Sequence, residues 1–140
     1  MYQLTKIIII SFLLIFISCE DNEANEELLP EFGSISGTIT FSGTWPDSGE
    51  VLITLDTNYP PQGPPAGFSY ITNIDLVENV YDYNFSNLSF REYGAITLTY
   101  WPEEYVTAGT NYSLIGSYIE AINVAQDDAD KTVNINAIFN

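Results

Sequence analysis

After residue 32 the chain alternates apolar and polar side chains with a period of two, and no other feature constrains the fold as strongly. In Gly33-Ser34-Ile35-Ser36-Gly37-Thr38-Ile39-Thr40-Phe41 the alternation puts Ile35, Ile39 and Phe41 on one face and Ser36, Thr38 and Thr40 on the other. Successive residues of a strand point to opposite faces, so this segment reads as a strand buried on one side. Runs rich in β-branched and aromatic residues, which suit a pleated surface, recur at 51–55, 68–76, 80–85, 96–101, 112–119 and 132–139. Phe68, Tyr70, Ile74 and Leu76 share one side of their run, and Tyr81, Tyr83 and Phe85 share one side of theirs. Between the second and third runs stands Tyr59-Pro60-Pro61-Gln62-Gly63-Pro64-Pro65-Ala66-Gly67. Its prolines fix φ and lack an amide donor, so an extended loop of polyproline character is expected there. Residues 121–125 are too short for a helix, and Asp127-Asp128-Ala129-Asp130 fits a turn before the last strand. Seven short strands at this spacing predict an all-β chain, a single seven-stranded Greek-key β-sandwich over residues 33–140.

Charge and missing residue types narrow the chemistry. Nineteen acids against three basic residues give a net charge of −16, and Arg91 and Lys131 are the only basic side chains after Lys6. Neutralising phosphates needs clustered Lys and Arg, so no nucleic-acid partner is expected, and anionic lipids or acidic glycans are disfavoured. Cations, neutral sugars, peptides and basic protein faces suit such a chain. It has no histidine and a single cysteine, Cys19. Ser-His-Asp and Cys-His catalytic arrangements are therefore impossible, and a conventional transition-metal site lacks its usual ligands. No enzyme activity and no cofactor are expected.

The N-terminus has a separate logic. Lys6 precedes the apolar run Ile7-Ile8-Ile9-Ile10-Ser11-Phe12-Leu13-Leu14-Ile15-Phe16-Ile17, and Ser18-Cys19 follows it. Crossing a bilayer as a helix takes about 20 apolar residues, so this run fits the shorter core of a secretory signal. The sequence up to Ser18-Cys19 resembles the lipobox signal of bacterial lipoproteins. That resemblance implies removal of residues 1–18, a diacylglycerol on the Cys19 thiol and an acylated (palmitate-type) amine. Lipidation also gives an odd thiol in an exported chain its reason. Residues 19–32 then form an acidic tether, in which Glu20, Asp21, Glu23, Glu26 and Glu27 bury too little apolar surface to fold. Acids directly after the lipidated cysteine resemble the surface-export signal of some Gram-negative lipoproteins, which implies an outer-membrane or cell-surface location.

Three motifs in the folded part carry a second resemblance. They are Gly37-Thr38-Ile39-Thr40 at its start, Tyr83-Asn84-Phe85-Ser86-Asn87-Leu88 before a strand, and Lys131-Thr132-Val133-Asn134-Ile135-Asn136 at its close. Together they resemble the carboxypeptidase regulatory-like, transthyretin-like sandwich that bacteria append to surface proteins, with Arg91-Glu92-Tyr93-Gly94-Ala95 in place of that family's Pro-Pro-Gly-Thr-Tyr turn. The resemblance implies a structural or interaction module with no catalytic residues to transfer.

Candidate binding residues follow from their chemistry. Trp45, Tyr100 and Trp101 are the candidates for a platform on which a neutral glycan would stack, although aromatics in a sandwich more often pack in the core or in cross-strand pairs. Asp127, Asp128 and Asp130 are weak calcium candidates, as are Asp47 and Glu50, and neither set has EF-hand spacing. Glu103-Glu104 suggests a glycosidase carboxylate, but such an enzyme needs two carboxyls across a deep cleft, and adjacent strand residues face opposite ways. The reading that results is a non-catalytic, lipid-anchored envelope or surface lipoprotein. Its sandwich serves as an interaction or structural module, held to the membrane through the lipid, with an envelope protein as partner. The alternatives are a glycan-binding lipoprotein, and a carrier of a small apolar ligand built as a barrel.

Overall fold

Strand β1 (Gly33–Ser42) realises the alternation at the start of the folded part: Ile35, Ile39 and Phe41 are buried, and Thr40 and Ser42 are exposed. The computed structural model describes residues 28–140 apart from 104 and 108. The signal segment 1–18, Cys19 and most of the acidic tether lie outside the described residues. After β1 come β2 (Glu50–Asp56), β3 (Gly67–Ile71), β4 (Val80–Leu88), β5 (Arg91–Tyr93), β6 (Ala95–Trp101), β7 (Ser113–Tyr118), β8 (Ile122–Val124), β9 (Asp130–Thr132) and β10 (Ile135–Ile138).

The fold is all-β and sandwich-like. In one sheet β1 pairs antiparallel with β4, while β9 and β10 pair parallel with successive stretches of its other edge. The second sheet has the antiparallel order β3-β2-β6-β7, and β5 and β8 form a separate two-stranded ribbon. Ile35 and Ile39 of β1, Val51, Ile53 and Leu55 of β2, and Ile96 and Leu98 of β6 form the fully buried centre of the core. Each such side chain contributes about 1.5–3 kcal/mol on burial. Two glycines let the sheets meet at their flanks. A Cβ on Gly116 of β7 would stand 2.7 Å from the Asn136 carbonyl oxygen of β10. A Cβ on Gly67 of β3 would stand 2.7 Å from the Phe85 ring of β4.

The strand count differs from the expected seven for local reasons. The run 68–76 stops at Ile71, because Asp75 Oδ2 accepts both the backbone N–H and the hydroxyl of Thr72 at 2.7 Å and closes a 3-10 turn over Asn73–Asp75. The run 132–139 breaks because Asn134 turns its side chain to β1, where its Oδ1 accepts the Thr38 N–H at 2.9 Å and the Thr38 hydroxyl at 3.1 Å. Where the family resemblance places a turn, Arg91-Glu92-Tyr93 pairs with Ile122-Asn123-Val124 as the β5–β8 ribbon.

A candidate binding cleft on the outer sheet face

Alternation gives the β3-β2-β6-β7 sheet a second face, turned away from the core. On it β2 presents Leu52, Thr54 and Asp56, β6 presents Thr97, Thr99 and Trp101, and β3 presents Phe68 and Tyr70. The register sets Leu52 between Tyr70 and Thr99, and Thr54 between Phe68 and Thr97. These residues line a cleft of about 350 Å³, a size that suits a small ligand or one side chain of a partner. From Asp56 to Leu52 the floor runs about 13 Å at strand rise.

Its walls come from two loops. The proline-rich β2–β3 connection borders the Asp56 end with Pro61, Gly63 and Pro65, and its base is closed by the Ala66 N–H donating to the Leu55 carbonyl at 2.7 Å. Prolines hold this wall extended, as their fixed φ dictates. At the far end the β6–β7 connection folds back over Trp101. The Tyr105 ring meets Trp101 edge-on at 4.8 Å between centroids, and Tyr112 stacks on it at 4.6 Å. The Tyr105 N–H donates to Glu50 Oε1 at 2.8 Å, which pins that loop to the start of β2. Tyr70 reaches Tyr105 at 6.4 Å and Phe68 at 5.9 Å, so five aromatic side chains form one continuous wall.

The floor is polar and internally bonded. Thr54 Oγ1 donates to Asp56 Oδ2 at 2.9 Å and lies 2.8 Å from Thr97 Oγ1. A hydroxyl has one proton and an ionised carboxylate only accepts, so Thr97 is the donor to Thr54. Trp101 Nε1 donates to Thr99 Oγ1 at 2.8 Å, and the Thr99 hydroxyl is directed at the Leu52 carbonyl at 3.4 Å. All three threonine protons are therefore committed within the protein, and the floor offers lone pairs.

Six of the tyrosines fall into two groups. Tyr83, Tyr93 and Tyr100 donate their hydroxyls to the carbonyls of Val133, Ser89 and Ser48 at 2.6, 3.0 and 2.8 Å. Burial pushes the phenols of Tyr83 and Tyr93 above their ordinary pKa. The hydroxyls of Tyr70, Tyr105 and Tyr112, on the cleft, make no hydrogen bond among the described residues.

Of the three glycan candidates, the structure does not bring Trp45 and Tyr100 together with Trp101. Tyr100 and Trp101 are consecutive in β6 and face opposite ways. Tyr100 points to the core side, where it meets Phe139 at 5.6 Å, and Trp45 packs on Phe41 and Phe139 at 5.0 and 4.8 Å. Trp101 belongs to the cleft but is only 6% exposed, covered by the two tyrosines and packed with Leu52. The accessible rings are instead Phe68, Tyr70, Tyr105 and Tyr112, which come from β3 and the β6–β7 connection and share no local motif.

The acidic candidates find protein partners. Asp128 pairs with Lys131, and Asp130 Oδ1 accepts the Ser34 hydroxyl at 2.6 Å, while Asp127 is exposed. Glu50 accepts from Tyr105, Asp47 and Glu103 are exposed, and Glu104 lies outside the described residues. No three metal-ligating side chains come together among the described residues. No family model, curated protein or solved structure matches the chain.

Proposed function

We propose that this chain is a non-catalytic, lipid-anchored protein of the bacterial envelope, and that its sandwich is an interaction module that engages a protein partner at the outer-face cleft. The observation that carries the reading is the continuous aromatic wall above a recessed polar floor, on a sheet face that the core does not use. Exposed aromatics grouped this way are the usual anchors of recognition surfaces, because they bury much area while losing little side-chain freedom. The absence of histidine, and Asp56 as the single carboxyl lining the cleft among the described residues, support a binding role over catalysis.

The anchor completes the reading. Residues 1–18 act as the export signal, Cys19 carries the lipid, and residues 19–32 space a transthyretin-like sandwich from the outer membrane of a Gram-negative cell. A neutral glycan is the second reading, favoured by the row of threonines beneath flat aromatic faces. The test is site-specific photo-crosslinking of the full-length lipidated protein in cells, with the photoreactive residue at Tyr112 on the cleft or at Asn84 on the opposite sheet. A discrete envelope-protein adduct from position 112 and none from 84 is expected. Adducts from 84 alone, or from neither position, would overturn the reading.

A further inference from the structure

Asp56 brings a negative charge to the cleft. It is 5% exposed at the proline-walled end of the cleft. Its Oδ2 accepts the Thr54 hydroxyl, while its Oδ1 accepts no hydrogen bond among the described residues. No side-chain oxygen among the described residues is both buried and without a partner, so Oδ1 keeps contact with solvent in the cleft, where an incoming donor would take the place of water. Neither basic side chain of the folded part is engaged with it: Lys131 pairs with Asp128, and the Arg91 guanidinium lies over the Tyr93 ring.

Resting on the interaction-module reading, we propose that the cleft receives a lysine or arginine side chain from an extended segment of the partner protein, with its cationic head against Asp56. Three independent features fit a cation. The threonine protons are committed inward, so the floor accepts hydrogen bonds, and a group made only of donors matches it. Phe68, diagonal to Asp56 across the β2–β3 pair, lines the cleft and is 58% exposed, so an aromatic ring is available to the methylene stem and the charge. The chain carries −16 overall and no basic residue lines the cleft among the described residues, so the field draws cations and repels anions. At the rim, the hydroxyls of Tyr70, Tyr105 and Tyr112, which make no hydrogen bond among the described residues, are placed to donate to the partner's backbone carbonyls. A neutral sugar would use the aromatic faces but would leave the carboxylate without a counter-charge.

The test titrates the full-length protein in non-ionic detergent micelles with N-acetyl-lysine and N-acetyl-arginine N-methylamides, following backbone amide shifts. The neutral controls are the norleucine and citrulline analogues and a neutral hexa-oligosaccharide. Saturable shifts at Thr54, Asp56 and Thr97 are expected for both cations, at least about tenfold weaker for the neutral analogues, and falling as salt rises. Asp56→Asn, which keeps the bond from Thr54, is expected to weaken the cations about tenfold or more. Phe68→Leu, at an exposed site tolerant of change, is expected to weaken them several-fold and guards against a misfolded first variant. Equal shifts from citrulline, undiminished binding by Asp56→Asn, or no cation-induced shift would overturn the proposal. Cleft shifts produced by the oligosaccharide alone would overturn it in favour of a glycan, while Tyr112 crosslinking judges the protein-interaction reading separately.

Discussion

The Tyr83 hydroxyl donates to the Val133 carbonyl at 2.6 Å inside the core, tying β4 to the β9–β10 junction fifty residues later. The two strands are not neighbours in the sheet, since β1 runs between them. The bond therefore bridges over β1 at the point where the final run of the chain breaks. Tyr83→Phe would leave the carbonyl without this partner while keeping the ring. A loss of about 1–3 kcal/mol is expected, the cost of an unsatisfied buried acceptor, read as a lower denaturant midpoint with an unchanged slope. A variant as stable as the parent would mean that the carbonyl finds a second donor.

The same phenol gives the fold an alkaline limit. Burial raises the pKa of Tyr83 and of Tyr93 above the value of about 10 they have in an unfolded chain. Between the unfolded and folded values the folded state holds more protons than the unfolded one, so stability falls as pH rises. This contribution is fully present below about pH 10 and declines above it, by at most about 1.4 kcal/mol per pH unit for each such phenol. Denaturant titrations from pH 8 to 11.5 check this. Tyr83→Phe should shift the whole curve down at neutral pH and flatten its fall above pH 10.

Much of the fold is readable in the sequence because strand alternation is a local signal. All seven runs contain strands, and Ile35, Ile39 and Phe41 are buried as their parity requires. The breaks are less readable, because they come from side-chain bonds to the backbone: Asp75 to Thr72 within four residues, and Asn134 to Thr38 across nearly a hundred. The short β5 and β8 become strands only by pairing with each other, which three-residue segments do not announce. The cleft combines β2, β3, β6 and two loops, so no single motif marks it. One part of it follows from parity alone: Tyr100 and Trp101, as neighbours in a strand, cannot share a platform.

The two tryptophans should report separately on the two faces of the sandwich. Trp101 is almost fully shielded by Tyr105 and Tyr112, while Trp45 is half-buried at the core's edge with Phe41 and Phe139. In a Trp45→Phe background, acrylamide should therefore quench the remaining fluorescence less than in a Trp101→Phe background. Adding Tyr112→Ala to the former should raise quenching and cost about 0.5–1.5 kcal/mol, the worth of a stacked aromatic pair. Unchanged quenching on removal of Tyr112 would show that the loop does not cover Trp101 in solution.

Asp56→Asn is expected to separate stability from binding. The substitution keeps the shape of the side chain and an oxygen to accept the Thr54 hydroxyl, and it removes a negative charge from a site 5% exposed. Among the described residues no ion pair engages this carboxylate, and its free oxygen keeps contact with solvent, so the fold does not depend on the charge. The variant should be about as stable as the parent, within about 0.5 kcal/mol, or about 2 °C in Tm. Thermal unfolding of the two proteins at low ionic strength makes the comparison. If Asp56→Asn instead lost several kcal/mol, the carboxylate would be serving the fold, and the case for a cation seated against it would fall.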